Sequence, residues 1–257
     1  MVTATDYPGL GTPGPIGYLV GRGQAFAIID SVRAARQIPE VGGSNRYALW
    51  GYSLGGHAVL SAENWAARYA PELKLVGVAA VAPPTNLVSL LKANTASVEG
   101  RVLTSMTVTS WAEKYGLTLG SIIEPGSISS VLAISNSCID DLQGKLDALA
   151  AQEPLAANYL KADAILRQPW SRLLAENSVN GVTGSVPVFI AQGEADSIVL
   201  PSVTTSFFRS ACQTSAPIEY VSLPLKGHGS SVVEATVPAL SWISDRFNGR
   251  LAPRNCH

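Results

Sequence analysis

Ser53 lies in a sequence pattern that favours a nucleophilic serine. Residues 51–55, Gly-Tyr-Ser-Leu-Gly, follow the apolar residues 47–50 and precede a helix-like run at residues 56–62. On a sharp strand-to-helix turn of this form, the serine hydroxyl stands clear of the sheet and the N–H of the next residue, Leu54, faces a reacting carbonyl oxygen. Glycines two residues before and after the serine let the backbone pass where a Cβ would collide. The pattern predicts attack by Ser53 on a carbonyl group.

A serine nucleophile needs a general base, and the chain has three histidines. His57 would follow the helix that starts at the turn, which favours packing or a surface contact. His257 is the last residue, and chain ends are usually poorly ordered. His228 lies in a glycine-flanked loop between a strand-like run at residues 218–223 and a helix-like run at residues 232–247. Because bases of α/β enzymes lie at the carboxyl ends of strands, His228 is the predicted base.

A carboxylate should hold the imidazole in one tautomer and stabilise its protonated form. The apolar run at residues 186–191 is typical of a buried strand, and two acids follow it, Glu194 and Asp196. Asp196 lies farther into the loop and can turn inward more easily, so it is the predicted acid, with Glu194 as the alternative. The order Ser53, Asp196, His228 is that of α/β-hydrolases and differs from the orders in chymotrypsin-like and subtilisin-like proteases.

Strand-like and helix-like segments alternate around these residues. The strand-like segments are residues 2–5, 46–50, 75–82, 186–191 and 218–223, and the helix-like segments are residues 23–36, 56–69 and 232–247. The run at residues 75–82 is apolar throughout, which is typical of a parallel strand buried on both faces. The alternation predicts an α/β fold with a mostly parallel central sheet flanked by helices, and a site at the carboxyl ends of its strands.

The pattern changes in the middle of the chain. Residues 85–184 hold mostly helical segments with Ser, Asn and Gly breaks, which predicts an inserted helical cap or lid. Residues 1–84 and 185–257 then form the core domain. The apolar residues of the cap could line an acyl pocket, but most are expected to form the cap's own core, because helices bury their apolar stripe first.

Composition excludes several classes of function. The chain has 257 residues, 47% of them hydrophobic and 14% charged, with a formal net charge of −1. A core of substantial size can form, and no basic footprint for nucleic acid or polybasic membrane anchor is present. The sequence shows neither a signal-like N-terminus nor an apolar stretch long enough to span a bilayer. The expectation is an intracellular protein, or one whose export signal is absent from this chain.

Several segments resemble the secretory lipase family, which includes the fungal lipase A type and many actinobacterial lipases and esterases. They are residues 4–14, 51–57, 192–196, 226–228 and 245–256. The resemblance spans nearly the whole chain. It implies an α/β-hydrolase fold, hydrolysis of carboxylic esters, and a helical cap inserted between the strands that carry the nucleophile and the acid. Many family members have glutamine after the nucleophile; the backbone amide of Leu54 can serve in the same way.

The start of the chain departs from the family pattern. Family members have upstream strands and, between them, a His-Gly-Thr-like loop that supplies a second donor to the oxyanion; this sequence does not contain that loop. Only the Leu54 amide is then assured, and loss of one donor typically costs about 10²–10³ in turnover. Candidates for the second donor are the Tyr7 hydroxyl or a glycine amide in residues 6–12, Thr85, Asn86, or a bound water.

Three cysteines leave one unpaired. The resemblance implies a disulfide between Cys212 and Cys256, with Cys138 as the unpaired thiol. The alternative is three reduced cysteines in a cytosolic protein. Their spacing matches no zinc pattern, and no metal or organic cofactor is expected.

The sequence thus predicts a serine carboxylic ester hydrolase that cleaves short-to-medium acyl esters through Ser53, His228 and Asp196. Two alternatives remain. One is a catalytically impaired hydrolase-fold remnant or binding protein, and the other is a serine peptidase or amidase on the same fold.

Overall fold

A computed structural model describes residues 1–95, 97–137, 142–155, 158–161, 163–184 and 186–256. The chain divides into two compact units. The first unit comprises Met1–Gly11, Leu19–Asn86 and Val179–His257, and the second unit comprises Thr12–Tyr18 and Leu87–Ser178.

Nine α-helices lie in the described part of the chain. They are α1 (Gly21–Arg36), α2 (Leu54–Tyr69), α3 (Leu87–Asn94), α4 (Val98–Tyr115), α5 (Ile128–Ser135), α6 (Leu142–Gln152), α7 (Trp170–Asn177), α8 (Pro201–Ala211) and α9 (His228–Phe247). Short 3₁₀ helices occur at Pro39–Val41, Leu119–Ser121, Pro125–Ser127 and Ala164–Leu166.

The first unit is built on a four-stranded parallel sheet. Its strands are β1 (Arg46–Tyr52), β2 (Lys74–Val81), β3 (Val188–Gly193) and β4 (Ile218–Leu223), in the order β1-β2-β3-β4. Since all four strands run in one direction, their carboxyl ends share one edge of the sheet. The segments that follow the strands therefore meet at that edge.

Both faces of the sheet are covered, as the apolar run at residues 75–82 predicts. Val78 and Ala80 of β2 face a cluster that includes residues from α1, α2 and α8. Ala79 and Val81 face the opposite cluster, to which α9 contributes Trp242. Because successive side chains of a strand point to opposite faces, each of the buried positions 78–81 of β2 requires an apolar residue.

Two predicted segments differ from the structure. Residues 2–5 form no strand, and Val2 is 95% exposed. β-propensity alone does not make a strand, because a strand needs a hydrogen-bonded neighbour, and the four described strands pair only with one another. Helix α9 begins at His228 rather than at Val232, so the predicted loop histidine is the first residue of a helix.

The second unit has its own buried core. Its fully or nearly buried apolar side chains include Leu87, Leu90, Leu91, Trp111, Ile122, Ile123, Val131 and Ile134. The Trp111 indole N–H donates to the carbonyl of Tyr18 at 2.8 Å, which ties the segment Thr12–Tyr18 to α4. The sequence division at residue 84 did not indicate that this early segment packs with the helices.

None of the described helices is long and apolar enough to cross a membrane.

A disulfide joins Cys212 to Cys256, which confirms the pairing implied by the resemblance. Cys212 caps the C-terminus of α8, and Cys256 packs against the core cluster. Asn255 holds the C-terminal tail against β4 because its side chain accepts from the Tyr220 N–H at 2.9 Å and donates to the Tyr220 carbonyl at 2.8 Å. Cys138, the predicted unpaired thiol, lies outside the described residues.

Candidate active site

Ser53 occupies a strained turn between β1 and α2. Its backbone has φ 51° and ψ −117°, a conformation that costs a non-glycine residue about 1–3 kcal/mol. The Ser53 N–H donates to the carbonyl of Val81 at 2.9 Å, and the Ser53 carbonyl accepts from the His57 N–H at 3.0 Å. These bonds to β2 and to α2 hold the turn in place.

The glycines around Ser53 have different roles. A Cβ on Gly51 would lie 2.1 Å from the carbonyl oxygen of Gly55, so only glycine fits at residue 51. A Cβ on Gly55 would meet nothing within 4 Å, so the predicted collision at that residue is wrong. The second crowded position is Gly56, whose Cβ would lie 3.1 Å from both the Pro83 side chain and the Val81 carbonyl oxygen.

The structure brings Ser53, His228 and Asp196 together. The Nε2 atom of His228 lies 2.9 Å from Ser53 Oγ, and its Nδ1 atom lies 2.8 Å from Asp196 Oδ2. A carboxylate only accepts hydrogen bonds, so Nδ1 carries the proton and Nε2 is left to accept from the Ser53 hydroxyl. These atoms form one continuous chain of hydrogen bonds.

His228 is positioned by the close approach of its loop to the end of β3. A Cβ on Gly193 would lie 2.3 Å from both the carbonyl oxygen of Lys226 and the hydroxyl of Ser231. Glycine at residue 193 therefore lets the loop before α9 pass directly over the strand end. The Gly227 N–H donates to Ser230 Oγ at 2.9 Å, which fixes the start of the helix that carries His228.

The ring of Tyr52 packs beside the imidazole. Its centroid lies 4.9 Å from that of His228, with the planes tilted by 39°. Burial and the nearby charge of Asp196 raise the pKa of Tyr52 to about 12. The phenol therefore stays protonated and uncharged beside the imidazole over the ordinary pH range.

Asp196 is buried and receives four hydrogen bonds. Its Oδ1 atom accepts from the backbone N–H groups of Ile198 and Val199, both at 2.9 Å. Its Oδ2 atom accepts from His228 and, at 3.1 Å, from the side-chain amide of Gln192. A carboxylate buried to 3% exposure needs such donors to offset the loss of water.

Sequence reasoning did not single out Gln192 and Thr204. Gln192 Nε2 also donates to the Val199 carbonyl at 3.0 Å, and its Oε1 accepts from the Thr204 hydroxyl at 2.7 Å. The available signal was a polar residue at the end of an otherwise apolar strand, since Val188–Gly193 is buried throughout.

The other sequence candidates lie elsewhere. Glu194 is exposed and accepts from the Ser222 hydroxyl at 2.8 Å, so it does not replace Asp196 beside His228. His57 is fully buried, with Nδ1 3.1 Å from Gln24 Oε1, which selects packing over a surface contact. His257 lies outside the described residues.

The candidates for oxyanion donors differ in burial and in hydrogen bonding. Leu54 is the first residue of α2, so its N–H has no acceptor within that helix. Tyr7 is partly buried, and burial raises the pKa of its phenol. Thr85 is fully buried with no hydrogen-bond partner for its hydroxyl among the described residues, whereas Asn86 is exposed. Within the described ranges, no group of three or more His, Cys, Asp or Glu side chains could hold a metal ion.

A family model for secretory lipases matches residues 1–255. The chain is 28% identical over 240 residues to the secreted triacylglycerol lipase LIP4 of Malassezia globosa, covering 89% of this chain and 52% of that protein. It is 25% identical over 265 residues to Lipase 6 of Candida albicans, covering 92% and 54%. The chain therefore spans about half the length of these relatives.

Solved structures show the same fold. Candida antarctica lipase A superposes with a TM-score of 0.78 at 20% identity, over 93% of this chain and 57% of that one. The rice cell wall degrading esterase LipA from Xanthomonas oryzae superposes with a TM-score of 0.69 at 19% identity, over 91% and 66%. The predicted α/β-hydrolase fold is confirmed.

Proposed function

This chain belongs to the secretory lipase family, and from that premise we propose that it hydrolyses carboxylic esters through an acyl-enzyme on Ser53. The observation that carries the proposal is the hydrogen-bonded chain from Ser53 Oγ through the His228 ring to Asp196 Oδ2. A serine within reach of an imidazole that a carboxylate orients is the arrangement that acyl transfer requires.

In the acylation step, Ser53 Oγ attacks the ester carbonyl carbon while His228 Nε2 accepts the hydroxyl proton. The imidazolium that forms keeps its Nδ1–H on Asp196, whose negative charge stabilises it. When the tetrahedral intermediate collapses, Nε2 donates its proton to the leaving alcohol. The acyl group is then bonded to Ser53, and the alcohol leaves uncharged.

Deacylation repeats these steps with water. His228 Nε2 accepts a proton from the attacking water, and the second tetrahedral intermediate collapses with return of that proton to Ser53 Oγ. The acid is released and the free serine is restored. The pairing of Nδ1 with Asp196 supports both steps, because it keeps the same nitrogen facing the reacting atoms.

Both intermediates place negative charge on the former carbonyl oxygen. The Leu54 N–H is the proposed first donor to that oxygen, since it follows the nucleophile directly. For the second donor we propose the Tyr7 hydroxyl, with the buried Thr85 hydroxyl, which has no partner among the described residues, as the alternative. Burial raises the pKa of the Tyr7 phenol, which favours the protonated form that can donate.

The proposed substrates are short-to-medium acyl esters. The larger part of the second unit, Leu87–Ser178, lies in the sequence between β2 and β3, and we propose that its helices act as a cap over the substrate. A relative is named a triacylglycerol lipase, so emulsified triglyceride is the natural competing substrate. Parallel assays with p-nitrophenyl butyrate, p-nitrophenyl palmitate and a triglyceride emulsion would decide between these substrate classes. Faster turnover of the palmitate or the emulsion would contradict the preference for short-to-medium acyl esters.

Labelling with a fluorophosphonate, followed by peptide mapping, tests the nucleophile directly. We expect one modified residue, Ser53, and loss of both labelling and ester hydrolysis in Ser53→Ala and His228→Ala. Ser206→Ala, an exposed serine on α8, serves as the matched control and should behave as the wild type. Folded wild-type protein that neither labels nor hydrolyses any of these esters would point instead to a non-catalytic hydrolase-fold protein.

A further inference from the structure

Gln192 is an unexpected residue for its place in the fold. Side chains two residues apart share a face of a strand, so Gln192 points to the same side as Val188 and Ile190. Those two residues pack in the apolar cluster with Phe207 of α8. An apolar side chain could fill that position without the cost of burying an amide. The presence of a fully buried glutamine therefore calls for a role that uses its polar atoms.

The amide is held in one orientation. Thr204, itself fully buried, donates to Gln192 Oε1 at 2.7 Å, which places the NH₂ group on the side of Asp196. Nε2 then donates to Asp196 Oδ2 at 3.1 Å and to the Val199 carbonyl at 3.0 Å, with the Gly193 carbonyl at 3.2 Å. The amide links α8, the acid-bearing loop and the carboxylate itself.

Gln192 donates to the same oxygen of Asp196 that accepts from the imidazole of His228. Asp196 Oδ2 accepts from both Gln192 and His228, whereas Oδ1 is occupied by two backbone N–H groups. The Gln192 amide withdraws charge from Oδ2 and, together with the two N–H groups on Oδ1, restrains rotation of the carboxylate. Both effects set the strength and the direction of the bond to His228 Nδ1.

Resting on the proposed function, we propose that Gln192, oriented by Thr204, is a positioning residue for the acid–histidine pair. It fixes which oxygen of Asp196 faces His228 and moderates the charge that the imidazole meets. Without it, Asp196 Oδ2 presents more of its negative charge to the imidazole N–H and stabilises the imidazolium more strongly.

Gln192→Met tests the contact, because methionine keeps the length of the side chain and removes its hydrogen bonds. Turnover per serine titrated by fluorophosphonate should fall about 10–100-fold, as expected for loss of a hydrogen bond to a charged group. The KM for p-nitrophenyl butyrate should stay within about twofold, because substrate binding is not altered. The acidic limb of the kcat/KM profile should move to higher pH.

Thr204 supplies a second, independent variant. Thr204→Val should shift the acidic limb in the same direction by less, and Thr204→Ser, which keeps the hydroxyl, should restore the wild-type profile. Thr107→Val is the matched control: Thr107 is 1% exposed and donates to the Leu103 carbonyl within α4. It removes an equally buried hydroxyl far from Asp196 in sequence, and its pH profile should not move.

The downfield proton resonance of the His228 Nδ1–H gives a readout that does not depend on turnover. It should shift in Gln192→Met and in Thr204→Val but not in Thr107→Val. Unmoved resonances together with unchanged acidic limbs in the first two variants would overturn this inference alone. A folded wild type without esterase activity or serine labelling would overturn the proposed function, and this inference with it. If Gln192→Met does not fold, the Thr204 pair decides.

Discussion

The groups proposed to act with Ser53 form two sets that differ in their hydrogen bonding. Asp196 and His228 are called the paired side here, and the proposed oxyanion donors, the Leu54 N–H with the Tyr7 or Thr85 hydroxyl, are called the open side. On the acid–histidine side, every polar atom of the Asp196 carboxylate has a partner, and Gln192 and Thr204 support it in turn. Among the proposed oxyanion donors, the Leu54 N–H has no acceptor in its helix and the Thr85 hydroxyl has no partner in the described chain. The difference follows from timing. A base must be oriented before the reaction starts, whereas an oxyanion donor must wait for an atom that carries charge only during it.

Asp196→Asn should give the largest effect, because it acts on the paired side. An amide at this position can present an N–H to His228 and impose the wrong tautomer, so we expect kcat for p-nitrophenyl butyrate to fall about 10⁴-fold. Glu194→Gln is the matched carboxylate-to-amide control, since Glu194 is exposed and its carboxylate accepts from the Ser222 hydroxyl. Equal losses of kcat in the two variants would show that the assignment of Asp196 as the triad acid is wrong.

Tyr7→Phe should give the next largest effect, because it acts on the open side. Loss of one oxyanion donor lowers kcat by about 10²–10³-fold, and the phenylalanine keeps the packing of the ring. The same substitution at Tyr115, whose hydroxyl bonds Asn177 in the second unit, should leave kcat unchanged. If Thr85→Val shows the large loss and Tyr7→Phe does not, the second donor is Thr85.

The two sides also differ in how far the sequence predicts them. Ser53, Asp196 and His228 follow from their positions after strands, because parallel strand ends share one edge. Gln192 was missed because the predicted strand ended at residue 191 and the side-chain partner, Thr204, lies on a helix twelve residues later. The Leu54 N–H follows from the pattern around Ser53, but the candidates for the second oxyanion donor lie in loops whose path no periodicity specifies.

The same limit explains the errors in the fold prediction. Strands β1 to β4 and helices α1, α2 and α9 were found because the apolar pattern is local. The strand predicted at residues 2–5 needs a partner that local pattern does not reveal. The packing of Thr12–Tyr18 with α4 likewise depends on hydrogen bonds of Ser110 and Trp111 to residues distant in sequence.

A matched pair of glycine variants tests the turn that carries Ser53, with a smaller expected loss of turnover than for Tyr7→Phe. Gly51→Ala places a Cβ 2.1 Å from the Gly55 carbonyl oxygen, so the turn must shift. A displacement of about 1 Å can cost about 10²-fold in turnover, and we expect a loss of up to that size with a lower melting temperature. Gly55→Ala meets open space in the first turn of α2, so it should leave turnover and melting temperature close to the wild-type values. A normal Gly51→Ala enzyme would show that the turn tolerates a shift.

Removal of the disulfide should lower the free energy of unfolding and leave turnover per titrated serine unchanged. The stability of the fold and the geometry of the site can then be measured independently. Cys212 ends α8, the helix that carries Thr204, and the bridge spans 44 residues to Cys256. Loop-closure entropy for that span corresponds to about 4 kcal/mol, and about 2–4 kcal/mol is expected in practice. Urea unfolding of the Cys212→Ser/Cys256→Ser variant measures the loss, and reduced wild type is its control. Because Asp196 is held by hydrogen bonds within its own loop and by Gln192, its geometry should survive in whatever fraction stays folded; a fall in turnover per titrated serine would mean that α8 transmits strain to the acid.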